Sequence, residues 1–148
     1  MIKGVIIQKL VSHRDERGFF REIARIGNKY IRKNYQLSHS LVNSGVIKGW
    51  HGHKKQYQWN YVINGELIVV LKDDRANSIT YKKLMKFVIN SQINHICYLV
   101  PHGVLHSYKC IKGPMNIIYF TSGYYDTNEE YKIDLSKDDI NYISIKKT

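Results

Sequence analysis

Gln58-Trp59-Asn60-Tyr61-Val62-Ile63-Asn64-Gly65-Glu66-Leu67-Ile68-Val69-Val70-Leu71-Lys72 is the stretch on which the fold turns. Branched and aromatic side chains fill both flanks, and such residues suit a pleated, half-buried surface. Between the flanks stand Asn64 and Gly65, residue types that tolerate the positive φ needed at both centres of a two-residue turn. The stretch therefore predicts a β-hairpin pairing residues 58–63 with 66–72. Outward from it, residues 4–8, 19–26, 78–88, 95–100 and 115–121 repeat the same Ile, Val, Tyr and Phe enrichment between turn residues. Helical spacing holds only over a few residues near Asn128 to Tyr131. Short strands recurring every 8 to 12 residues or so predict an all-β class, closed as a sandwich or barrel.

The chain of 148 residues is 43% hydrophobic and 24% charged, the make-up of one globular domain with a real core. No apolar run is long enough to span a bilayer, and Met1-Ile2-Lys3-Gly4 opens no secretion signal, so a cytoplasmic protein without membrane contact is expected. Cys97 and Cys110 have neither a metal spacing nor a disulfide framework and read as buried thiols. The net charge of +11 asks for an anionic partner or simply a well-solvated surface. Nucleic acid fits poorly, because 17 of the 23 basic residues are lysines scattered singly or in pairs. The basic excess lies toward the amino terminus, with 12 basic and 3 acidic residues in positions 1–60, which suits a phosphorylated small molecule.

Chemistry concentrates in Gly45-Val46-Ile47-Lys48-Gly49-Trp50-His51-Gly52-His53, Gln58 and Pro101-His102-Gly103-Val104-Leu105-His106. On a strand, His51 and His53 share a face because the side-chain period is two, while Trp50 points the other way. Three histidines with Gln58 in a small barrel are open to two chemistries. A metal would take His51, His53 and His106 at nitrogen, although Gln58 brings no charge to offset the cation. Alternatively, one imidazole acts as general base in a metal-free pocket.

Those spacings resemble the two cupin motifs, with Gln58 in place of the first motif's Glu and Cys110 in place of the second's Asn. A narrower resemblance runs through nearly the whole chain. Asp15-Glu16-Arg17-Gly18-Phe19-Phe20-Arg21-Glu22, Gln36-Leu37-Ser38-His39-Ser40, the block from Gly45 to His51, Asp73-Asp74-Arg75, the block from Pro101 to His106, and Tyr119 are similar, in order and spacing, to the dTDP-4-dehydrorhamnose 3,5-epimerase family. The resemblance implies a cupin jelly-roll, a homodimer, no metal and no cofactor. Its implied substrate is a nucleotide-diphospho-4-keto-6-deoxy sugar used for surface polysaccharides such as lipopolysaccharide.

Carbon-bound hydrogen beside a ketone is acidic because the carbanion delocalises as an enolate. Epimerisation needs a base, an enolate stabiliser and an acid on the opposite face. By resemblance His51 is the base and Tyr119 the acid. Arg17 and Lys48 are cations near diphosphate and sugar, Glu22, Gln36 and Ser38 lie near nucleotide and sugar, and His106 is a pocket residue. Ser38 replaces an Asn of the family. Gln58 replaces the lysine that stabilises the enolate, exchanging a charge-assisted bond for a neutral one. The family's Asp that orients the catalytic imidazole comes from a carboxy-terminal segment beyond the reach of this chain, and no substitute is legible.

His51-Gly52-His53-Lys54-Lys55 and Tyr124-Tyr125-Asp126 also resemble sugar-nucleotide 3,4-ketoisomerases, in which two histidines such as His51 and His53 shuttle the proton. That activity, a metal-dependent cupin oxygenase and a non-catalytic sugar-nucleotide binder are the rivals. Trp50, Trp59 and most of the tyrosines read as core or sheet residues. Arg75 reads as a salt-bridged turn, and His13, His39, His95 and His102 as surface or structural groups.

Overall fold

The computed structural model describes residues 1–27, 29–30 and 34–145. Among the described residues ten strands follow one another: β1 (Ile6–Lys9), β2 (His13–Asp15), β3 (Gly18–Phe20), β4 (Gln36–Val42), β5 (Ile47–His53), β6 (Gln58–Asp73), β7 (Leu84–Asn90), β8 (Ile96–Val100), β9 (Val104–Thr121) and β10 (Glu130–Lys132). One helix, α1 (Lys137–Ser144), closes the described chain. The all-β expectation holds.

The expected hairpin at Asn64-Gly65 does not form. β6 runs straight through both residues and pairs antiparallel with β9 from Gln58↔Thr121 to Asp73↔Val104. The register slips on either side of Asn64, and Gly65 takes φ +110°. A bulge uses the same tolerance of positive φ that a tight turn uses, so the dipeptide alone does not separate the two. At Gly65 the backbones also approach closely, since a Cβ there would sit 2.7 Å from the Lys112 carbonyl oxygen.

This slip lets one long ribbon serve two layers. Toward its Gln58 end the β6–β9 ribbon takes β8 and β1 on one side and β4 on the other. Toward its Asp73 end it takes β7 on one side and β5 with β10 on the other. The run Leu67 to Leu71 is buried throughout because both of its faces are covered. Leu67, Val69 and Leu71 enter the cluster with Tyr98, Val104, Met115 and Ile117, whereas Ile68 and Val70 meet Trp50, Leu105 and Ile143 of α1. Each such side chain contributes about 1.5–3 kcal/mol of burial.

Smaller departures have local causes. The expected strand at 78–88 begins at Leu84, because Ser78 and Tyr81 are tied into successive turns by Ser78 N–H donating to the Arg75 carbonyl and Tyr81 N–H to the Ser78 carbonyl. Residues 128–131 form a turn and the start of β10 rather than a helix. The helix that exists starts at Ser136, whose hydroxyl accepts from the Asp139 N–H while the Asp139 carboxylate accepts from the Ser136 N–H. That capping box is a sequence signal for α1. Trp50 and Trp59 are core residues, Cys97 and Cys110 are buried free thiols, and Arg75 closes a turn on buried Asp73.

Candidate active site

A cavity of about 330 Å³ opens between the layers. β4 alternates across its wall: Gln36, Ser38 and Ser40 point in, while Leu37, His39 and Leu41 point out. Lys48, His51 and His53 enter from β5, Gln58 from β6, and His106 and Tyr119 from β9. Eight of the ten residues singled out in the sequence therefore line one space.

Arg17 and Glu22 do not. Arg17 sits at the tip of the separate β2–β3 hairpin, its side chain 83% exposed and donating through Nη2 to Asp15 at 2.5 Å. A shallow hollow of the same hairpin is formed by Arg14, Arg17, Phe19 and Phe20. Glu22 accepts from Arg25 Nε at 2.8 Å, again away from the cavity lining.

The histidine face is built by close backbone pairing. His51 lies opposite His106 in the β5–β9 register, and their rings are 6.1 Å apart. His53 stacks on His106 at 5.7 Å and 18°. Gly52, between His51 and His53 on β5, faces Tyr131 of β10, whose ring lies 2.4 Å from where a Cβ would be, so β10 docks only because this residue has no side chain.

β10 and the residue before it supply what the sequence did not reveal. Glu130 is opposite His53 in backbone register, yet its carboxylate reaches diagonally to accept from His51 Nδ1 at 2.7 Å. With Nδ1 held by Glu130, Nε2 is the ring nitrogen of His51 left to the cavity. Glu129 accepts from His53 Nδ1 at 2.8 Å and from the Lys55 and Gln56 N–H groups. Two adjacent acids after a turn were visible in the sequence, but only strand pairing tells which imidazole each reaches.

His106 stands apart. Its Nδ1 is buried with no hydrogen-bond partner, and burial, then the neighbouring His53 and His51, push its pKa down to about 3. The third imidazole is therefore neutral. Among the described residues no three His, Cys, Asp or Glu side chains converge to hold a metal ion.

Across the lining, the Tyr119 hydroxyl lies 3.1 Å from that of Tyr108. Burial pushes both phenols, and that of Tyr98, above the ordinary range, against the pull of Tyr108 and Ser40 on Tyr119. Tyr119 thus carries its proton and is able to deliver it. The cavity brings together an imidazole held by Glu130, a protonated phenol and the Lys48 side chain, groups of the kind that can take a proton from a carbon acid and return one.

Comparison with known proteins gives a consistent picture. The profile of the dTDP-4-dehydrorhamnose 3,5-epimerase family matches residues 1–146. The spore coat polysaccharide biosynthesis protein SpsL of Bacillus subtilis strain 168 is 36% identical over 130 residues, which cover 87% of this chain and 85% of SpsL. A dTDP sugar isomerase from Desulfovibrio desulfuricans G20 shares the cupin-like fold with a TM-score of 0.79 at 19% identity, over 98% of this chain and 91% of that one. ChmJ, a 3'-monoepimerase from Streptomyces bikiniensis solved in complex with dTDP-quinovose, aligns with a TM-score of 0.80 at 19% identity, over 95% and 83%.

Proposed function

The chain belongs to the dTDP-4-dehydrorhamnose 3,5-epimerase family, and from that premise we propose that it epimerises a nucleotide-diphospho-4-keto-6-deoxy sugar at C3, C5 or both, for a surface polysaccharide. The observation that carries this reading is the Glu130–His51 pair, which leaves the Nε2 lone pair for a substrate in the cavity that also holds the Tyr119 hydroxyl. In the reaction the C–H bond beside the ketone breaks, its proton passes to His51 Nε2 and its electron pair moves onto the ketone oxygen. Tyr119 then protonates the carbon from the other face. Lys48 offers a point charge for the diphosphate.

The same reading makes the molecule a homodimer in which Arg17 and Glu22 serve the cavity of a second copy. Their place outside their own chain's cavity supports this, as do Phe19 and Phe20, 56% and 68% exposed on a hairpin separate from the main sheet. Leu37 and Leu41 add an exposed apolar stripe on β4.

Incubation with dTDP-4-keto-6-deoxyglucose in deuterated water tests the chemistry. Deuterium at C3 or C5 with inversion and the ketone still at C4 is expected. A ketone moved to C3 would assign the chain to the ketoisomerases, and tight binding without exchange would make it a binder. For the dimer, mixing inactive Arg17→Ala chains with inactive His51→Ala chains should restore activity, because one of the two shared sites becomes intact. No restoration, or a monomer in light scattering, refutes the shared site.

A further inference from the structure

Hydrogen-bond direction around the second histidine can be followed from Asn60. Asn60 Nδ2 lies 3.3 Å from the Gln58 carbonyl oxygen and 3.5 Å from that of Tyr98. Carbonyl oxygens only accept, so this end of the Asn60 amide is its NH₂ and the other end is oxygen. That oxygen accepts from Gln58 Nε2 at 2.6 Å, which turns the Gln58 oxygen toward His53 Nε2 at 3.0 Å. His53 Nε2 must therefore donate.

The opposite nitrogen is bound in the same sense. His53 Nδ1 faces Glu129 Oε2, whose companion Oε1 already accepts two backbone N–H bonds. Burial alone would raise the Glu129 carboxyl, but the Lys55 N–H, the His53 ring and the Gln56 N–H outweigh it and hold the group below its ordinary range. An ionised carboxylate only accepts. The ring thus faces an acceptor at each nitrogen.

Building on the epimerase reading, we propose that His53 is a fixed imidazolium, held by Glu129 and Gln58, which supplies the enolate-stabilising charge that this chain lacks at position 58. His53 acts through Gln58. Only one hydrogen of the Gln58 amide is taken, by Asn60, and the other is free for the ketone oxygen in the cavity that Gln58 lines. As the carbon-bound proton moves to His51, the electron pair arriving on that oxygen meets an amide polarised by a cation one hydrogen bond behind it. The three imidazoles thereby divide the work: His51 has a partner on one nitrogen only, His53 has acceptors on both, and buried His106 is neutral.

The decisive measurement is a ¹⁵N–¹H spectrum of the histidine rings in the ligand-free wild-type protein, at the pH of turnover, with His53 assigned through its backbone. Both His53 nitrogens bearing protons is the expected result, and a single protonated nitrogen overturns the proposal. This readout needs no substrate, so it stands or falls apart from the epimerase reading, which the deuterium experiment judges. Kinetics give the second arm. Glu129→Gln, which removes the demand for the second proton, should lower kcat by about 100- to 1000-fold with KM little changed. Gln58→Lys in that background should recover part of the loss. A change confined to KM, or no recovery by the lysine, also overturns it.

Discussion

Glu130 Oε1 lies 2.7 Å from His51 Nδ1, so a carboxylate that is 79 residues away in sequence fixes the tautomer of the candidate base. Glu130→Gln keeps the shape but no longer demands a proton on Nδ1. A general base commonly contributes a factor of about 10²–10⁴, and most of that factor should disappear from kcat. Solvent deuterium uptake at the sugar carbons measures it, with KM as the control for binding. Unchanged uptake would mean that Glu130 does not set the form of His51 used in the reaction.

Tyr119 separates proton removal from proton return. With its hydroxyl gone in Tyr119→Phe, His51 still abstracts and still returns deuterium to the face it came from. Uptake into unreacted substrate should continue while inverted product falls about 10²–10⁴-fold. Loss of uptake and product together would place Tyr119 in the abstraction step instead.

How much of this was readable beforehand depends on how local each feature is. The all-β class, the common face of His51 and His53, and the opposite face of Trp50 follow from a period of two along one strand, and the structure shows all three. The hairpin expected at Asn64-Gly65 was wrong, because whether positive φ at Gly65 makes a turn or a bulge depends on a partner strand some fifty residues later. Glu129 and Glu130 were beyond reach for a similar reason, since their partners are fixed by the β5–β10 register. Arg17 and Glu22 resemble nucleotide-binding positions, yet their own chain leaves them outside its cavity. The capping box at Ser136, by contrast, is a local signal written in Ser136 and Asp139.

Asp73 ties part of the fold's stability to pH. Burial raises its carboxyl, but the side chains of Arg75, Thr80 and Ser78 and the Arg75 N–H outweigh that and hold it well below the ordinary 3.8. A depressed carboxyl contributes its full stability above pH 3.8 and loses it as pH falls toward the folded value. Asp73→Asn should therefore cost about 3 kcal/mol at pH 7, with the gap to wild type closing below pH 3.8. Urea unfolding at pH 7 and pH 3 checks this, and an equal gap at both would contradict it.

Gly52→Ala tests whether β10 is what organises the histidines. The new Cβ would lie 2.4 Å from the Tyr131 Cζ and 2.7 Å from its hydroxyl oxygen, too close for any real contact, so either the ring or the strand must move. Tyr131 packs against the Trp50 cluster and is not free to swing as an exposed side chain would be. The movement should therefore pass to β10, carrying Glu130 away from His51 and Glu129 away from His53. Overpacking of this kind costs about 1–3 kcal/mol in stability, whereas activity should fall as far as it does in Glu130→Gln. Adding Tyr131→Ala relieves the clash and should return stability and part of the activity together. If Gly52→Ala alone turns over at the wild-type rate, β10 does not set the imidazole geometry, and the acid that orients His51 must be sought elsewhere.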